Sequence, residues 1–233
     1  MSRILLIFSL SILASSSVTG VRYTCDPTSS CGCSTSSTSL SRIIGGEPAS
    51  EQSWPWIVSL RVDQSHVCGA TLLSPLFVIT ATHCIDDVHD LSSLSILAGS
   101  SRLDGFSTNS TPQIRSISHV HSYADYDPSS YANDITLLRL STPLNVAQSR
   151  IKPICLPAAN VRQPLDGVTM VAIGWGTTSS GSSQASPILR QVTLQSISHT
   201  SKHCLKLLAN DERQFCAGIL TGGKGEITIG SSH

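Results

Sequence analysis

The sequence predicts an all-β chain, an antiparallel sandwich or a pair of barrels, and three observations lead there. Short apolar runs recur along it, each bounded by Gly, Pro or Ser. Aromatic residues are only 5% of the chain while Ser, Thr and Gly abound, a balance that suits loop-rich β structure over a helical bundle. No heptad or internal repeat is visible. With 233 residues, 40% of them hydrophobic, the chain is long enough for one large domain or two small barrels with cores of their own. The formal net charge is zero, so no basic surface points to nucleic acid or to an anionic membrane.

Taken in order, the first element is an address. Arg3 gives a positive start, Ile4 to Leu13 form an apolar run, and small residues follow to a cut between Gly20 and Val21. Residues 1–20 therefore read as a cleaved secretory signal. The run falls short of the ~20 residues that span a bilayer, and no second one exists, so no membrane span is expected. Cys25 to Arg42 is rich in Ser, Thr and Cys and poor in large apolar residues. Residues 21–42 are expected to be a tethered, flexible propeptide.

From Ile43 the texture changes. Strands are expected at Ile57 to Leu60, Thr71 to Leu73, Leu76 to Thr80, Ser95 to Ala98, Ile135 to Leu140, Val168 to Ile173 and Leu189 to Gln195. One helix is expected over Ser201 to Leu208, with a turn around Thr82 to Ile85. Asn109-Ser-Thr is a glycosylation sequon in a polar stretch. Eight cysteines in a secreted chain make a disulfide framework the simplest reading. Cys31-Gly-Cys33 and His119-Val-His121 are the alternative, as zinc ligands. Neither has the paired C-x-x-C spacing of a structural zinc site, so no metal is expected.

Three motifs carry chemistry. Ile79-Thr80-Ala81-Thr82-His83-Cys84 is a β-type run turning into small residues, where a disulfide at Cys84 would fix the imidazole. Asn133-Asp134-Ile135 sets an acid just before a strand, the place of a turn cap unless a cation or N–H needs it. Arg42-Ile43-Ile44-Gly45-Gly46 is, alone, an ordinary loop-to-strand junction. Acyl transfer needs a base, an orienting carboxylate, a nucleophile and oxyanion donors, and the first two motifs offer the first two parts.

Together these motifs resemble the chymotrypsin/trypsin-like (S1) serine proteases, from Ile43 to Lys224. Trp54-Pro55-Trp56, Cys68-Gly69, Pro153-Ile154-Cys155-Leu156-Pro157, Gly174-Trp175-Gly176 and Phe215-Cys216-Ala217-Gly218 match further family segments in the right order. Thr82 stands where alanine is usual. The resemblance implies two antiparallel six-stranded β-barrels, with His83 as general base, Asp134 as its orienter and activation by cleavage between Arg42 and Ile43. It implies disulfides Cys68–Cys84 and Cys204–Cys216, and Cys155 bonded to one of Cys25, Cys31 or Cys33 while the other two pair locally. Protein or peptide substrates and an activating trypsin-like protease are the expected partners, with trypsin-like specificity and no cofactor. The family's calcium loop uses glutamates, but Gly99 to Ile117 holds only Asp104 as an acid, so no calcium is expected.

The family continues past the glycine pair to Gly-Asp-Ser-Gly-Gly, whereas this chain reads Gly222-Gly223-Lys224 and then Gly225-Glu226-Ile227-Thr228-Ile229-Gly230-Ser231-Ser232-His233. The nucleophilic serine is absent, and neither Ser231 nor Ser232 has the following glycines that form an oxyanion hole. Residues 43–224 thus read as a truncated protease domain with the second barrel incomplete, and 225–233 as a non-family tail. The chain is expected to be inactive and to leave strand edges unpaired. An unspliced intron would explain the break, and it predicts codons GGT GAG for Gly225-Glu226 with an in-frame serine exon downstream. A non-catalytic homologue acting as a secreted binding protein is the alternative, although such proteins usually keep the whole fold. A small cysteine-rich binding module accounts for Cys25 to Cys33 only.

Overall fold

The computed structural model describes residues 21–23, 25–26, 28–34, 38–40, 46–51, 53–107, 111–147, 151–158, 166–177, 184–202, 204–205, 208, 214–218 and 227–231. Residues 1–20, Arg42, Ile43, Asn109 and Gly222 to Lys224 lie outside the described residues.

Two short strands come first, β1 (Val21–Tyr23) and β2 (Thr38–Leu40), paired antiparallel with Val21 facing Leu40. This differs from the flexible segment expected from composition. Between them the chain is knotted by Cys25–Cys33 and anchored by Cys31–Cys155. Two covalent constraints in so short a stretch remove much of the chain entropy that would otherwise oppose pairing. The knot lies on the segment around Cys155, where the Gly32 N–H donates to the Pro153 carbonyl at 2.9 Å. Gly32 has φ +66°, and a Cβ there would sit 2.8 Å from Cys155 Sγ. Only glycine fits this approach.

β3 (Glu47–Pro48) follows, and then six strands form a closed barrel: β4 (Ile57–Val62), β5 (Ser65–Ser74), β6 (Phe77–Thr80), β7 (Leu94–Ala98), β8 (Gln113–Ser122) and β9 (Thr136–Leu140). They pair in the order β4-β5-β6-β9-β8-β7, so no edge is left. Val58, Leu60, Leu72, Val78, Ile96 and Leu138 fill the interior with no exposed surface, each contributing roughly 1.5–3 kcal/mol by burial. β4 is buried on both faces, because its outward Ile57 packs with Trp175 and Leu189 of the second half. That explains why Ile57-Val58-Ser59-Leu60 does not alternate in polarity.

The second half is an open five-stranded sheet. β10 (Thr169–Gly174), β11 (Arg190–Ile197), β12 (Gln214–Gly218) and β13 (Ile227–Ser231) pair in that order, and β3 pairs with β11. The segment read as a tail thus supplies a strand, Cys216 facing Ile229, as the β-branched alternation Ile227-Thr228-Ile229 favours. β13 stands beside β12 as β9 stands beside β6, the third strand of the barrel. There is no α-helix among the described residues. Where one was expected, the Leu205 and Leu208 N–H groups donate to the Ser201 and Cys204 carbonyls, both at 3.0 Å. Two turns are too short to be stable alone, and Cys204 is tied to Cys216 of β12.

The halves meet at His66. Its Nδ1 is 2.9 Å from Ser59 Oγ, and its ring stands edge-on to Trp175 with centroids 5.4 Å apart. Burial, and then the nearby Arg61 guanidinium, hold its pKa below the usual imidazole value. The unfolded ring therefore binds a proton at a pH where the folded ring stays neutral. Stability is unaffected above about pH 6.5 and falls as pH drops below it towards the lowered folded pKa. Thermal melts from about pH 7 to pH 5 will show a decline for the wild type that is shallower in His66→Asn. Equal slopes would show that His66 carries no such linkage.

Candidate active site

Two strands bring together residues 51 apart in sequence. β6 and β9 are antiparallel with Thr80 facing Thr136. Continuing the ladder carries the chain past Thr80 into His83, and back from Thr136 to Asp134, so the two side chains meet. After β6 the chain makes a single 3-10 turn, Thr82–Cys84, and Cys84 is locked to Cys68 of β5. The turn expected around Thr82 to Ile85 is present and covalently clamped.

Asp134 grips His83 at both ends of its carboxylate. Oδ1 accepts the His83 backbone N–H at 2.9 Å and Oδ2 lies 2.6 Å from Nδ1. A carboxylate can only accept, so Nδ1 carries the proton and Nε2 keeps its lone pair. The acid side chain is 12% exposed against 49% for the imidazole: the carboxylate is sheltered and the imidazole faces out. Nε2 lies 3.6 Å from Cys84 Sγ, a disulfide sulfur with no proton to give. Among the described residues no hydroxyl bonds to Nε2.

Behind the pair runs a hydroxyl chain that sequence reading missed. Thr82 Oγ1 and Thr136 Oγ1 are 2.9 Å apart, and Thr136 Oγ1 donates to Ser122 Oγ at 3.0 Å. Thr136 has one proton, so Thr82 donates to it. Both threonines are buried, and Thr136 gives Thr82 the partner that an alanine would not need. Thr136→Val strands the Thr82 hydroxyl in the interior and will cost about 1–3 kcal/mol. Adding Thr82→Ala should recover part of that loss in chemical denaturation, and a double variant no better than the single would refute the coupling.

Tyr131 is the second residue missed. Its ring meets His83 edge-on, centroids 5.8 Å apart and planes at 86°. Its φ is +54° and that of Asn133 is +56°, backbone values rare outside glycine. The loop that holds them is built on Asp127, whose carboxylate accepts from the Ser129 N–H and the Ser129 and Ser130 hydroxyls at 2.6 to 2.9 Å. The Ser130 and Ser129 side-chain bonds lower the Asp127 pKa to about 2, so the clamp is fully charged at neutral pH. Burial, and then the charges of Asp134 and Asp86, raise the pKa of the neighbouring Tyr126.

As for metals, Cys68, His83 and Cys84 cluster within 4.8 Å of one another, but both sulfurs are spent in a disulfide. Asp104, the lone acid of the 99–117 stretch, is paired with Arg102 at 2.6 Å. The structure leaves no choice in the cysteine pairing: Cys31 bonds Cys155 and Cys25 bonds Cys33. In the second sheet, β3 docks on β11, and the Arg190 guanidinium donates to the Gly46 carbonyl at 2.9 Å. Residues 46–48 are thereby held on the second sheet.

This arrangement has relatives. A bovine (Bos taurus) homologue of the suppressor of tumorigenicity 14 protein is 34% identical over 193 residues, which are 80% of this chain and 22% of that protein. The chain thus spans about a fifth of the length of that relative. The solved structure of human heparin binding protein matches with a TM-score of 0.64 and 26% identity, over 81% of this chain and 80% of that one. The Trypsin family model matches residues 43–231, seven residues beyond Lys224 and through β13. By barrel, by imidazole–carboxylate geometry and by that match, the chain belongs to the trypsin family of serine proteases.

Proposed function

We propose that the chain is the zymogen form of a secreted serine endopeptidase, cut between Arg42 and Ile43, in which His83 is the general base and Asp134 orients it. The observation that carries this reading is the double grip of Asp134 on His83, with Nδ1–H held at 2.6 Å and Nε2 left as the free lone pair. A base so placed takes the proton of an attacking hydroxyl and returns it to the leaving amine, while the carboxylate stabilises the imidazolium between those steps. Residues 1–20 act as the secretory signal and 21–42 as a propeptide that stays attached through Cys31–Cys155 after cleavage. Pairing of all eight cysteines supports an oxidising, extracellular setting. A basic residue before the cut favours a trypsin-like activator, and protein substrates with a trypsin-like preference follow from the family.

These 233 residues contain no Gly-Asp-Ser-Gly-Gly sequence, and on their own they carry out no acyl transfer. The intact His83–Asp134 pair speaks for a protease design over a binding homologue with altered catalytic residues. Treating the secreted 233-residue chain with trypsin and then with a fluorophosphonate probe tests both parts. A new N-terminus at Ile43 with no labelling is the expected result. Labelling would overturn the inactivity, and resistance of the Arg42–Ile43 bond in the folded chain would overturn the zymogen reading.

A further inference from the structure

His119 and His121 occupy the outer face of β8, on the barrel wall, and the chemistry described above uses neither. Both are exposed. Their rings are stacked, centroids 6.3 Å apart and planes within 7°, because residues two apart on a strand project to the same side. Two neutral imidazoles side by side in water gain little from stacking alone. What they offer together is a pair of nitrogen donors.

The tautomer of one ring is fixed by its neighbour. Ser118 Oγ donates its single proton to the Arg139 and Leu140 carbonyls, at 3.1 and 3.2 Å. That same oxygen lies 3.1 Å from His119 Nδ1, and having no second proton it must accept there. Nδ1 therefore carries the hydrogen, and Nε2 of His119 is left with an open lone pair. Ligating histidines are held in this way by a hydrogen bond on the far nitrogen.

We propose that His119 and His121 form a surface chelate for a divalent late first-row transition ion, with water filling the remaining positions. Two imidazole nitrogens each about 2.1 Å from a shared ion put ring centroids roughly 4.5–6.5 Å apart, so the observed spacing suits a shared ion once the exposed rings turn out of their parallel stack to aim both lone pairs at it. Arg139 lies directly across on β9, facing His119 in register. Its positive charge opposes cations held by charge alone, such as Ca²⁺, while imidazole donors suit Zn²⁺, Ni²⁺ and Cu²⁺. Ser118 is a positioning residue: it touches His119 and not the ion.

Calorimetric titration of the 233-residue chain with ZnCl₂, NiCl₂, CuCl₂ and CaCl₂ tests the site. One equivalent of each transition ion is expected, Cu²⁺ tightest, and no Ca²⁺. His119→Asn or His121→Asn should weaken binding at least about tenfold, and the double variant should abolish it. Ser118→Ala should weaken it by about tenfold without changing stoichiometry, while His89→Asn should leave it unchanged. Both rings are exposed, so circular dichroism of the variants should match the wild type. No binding of any transition ion, or undiminished binding in the double variant, would overturn the proposal. An unchanged affinity in Ser118→Ala would overturn the positioning role.

Discussion

Replacing Cys31 and Cys155 together by serine will free residues 21–42 from a chain cut between Arg42 and Ile43 and lower stability by about 4 kcal/mol. This bridge joins residues separated by 124 positions, and in the chain-entropy account closing so long a loop is worth roughly 4–5 kcal/mol. The Gly32 N–H to Pro153 carbonyl bond contributes about 1 kcal/mol, too little to retain a cleaved segment. After trypsin treatment the wild type should run as one species until reduced, and the double variant should shed residues 21–42 without reduction. Cys25→Ser with Cys33→Ser opens a loop spanning only 8 positions and should leave the segment attached. Retention of residues 21–42 in the Cys31/Cys155 variant would mean that packing, not the covalent bond, holds them.

Leu138→Ala should be almost as costly. Leu138 is fully buried in the barrel, faces Val78 on one side and Val120 on the other, and lies four residues after Asp134. A closed barrel with strands on every side has little freedom to collapse around a cavity, so the loss should be about 3 kcal/mol. For a chain of this size that lowers Tm by roughly 6–12 °C. Leu156, 66% exposed, serves as control, and its alanine variant should change stability by less than about 0.5 kcal/mol. A Leu138→Ala variant that melts with the wild type would place the core elsewhere.

What the sequence made legible depended on how directly each residue type reports its setting. The strands β4, β6, β7, β9, β10 and β11, and the Thr71 to Leu73 part of β5, were visible because β-branched and aliphatic runs marked them. β8 was not. Its apolar residues fall at Ile114, Ile117 and Val120, and a register shift between Ile117 and His119 breaks the two-residue period that identifies a strand. Ile114 is 59% exposed, so even its apolar residues do not all mark the core. Over residues 21–42, composition records the lack of a core and not the constraint imposed by two disulfides. The pairing of Cys31 with Cys155 depends on where the knot lies, which spacing leaves open.

The site divides in the same way. His83 and Asp134 stood out through their surrounding motifs, and the β6–β9 ladder supplies the reason they meet. Thr136 looked like any strand threonine, and its role needed the buried contact with Thr82. Tyr131 was hidden because its position depends on left-handed backbone at residues with no special signature. For β13 the texture of Ile227-Thr228-Ile229 was available in the sequence, but its neighbour in the sheet was not.

Nitrogen NMR of His83 in the 233-residue chain tests whether Asp134 holds the imidazole with its proton on Nδ1. With the imidazole neutral, the proton should reside on Nδ1 and Nε2 should show the shift of an unprotonated nitrogen. Asp134→Asn should disturb that preference, since its amide can present a donor where the carboxylate only accepts. A wild-type ring protonated at Nε2, or one whose tautomer is the same in Asp134→Asn, would contradict the account.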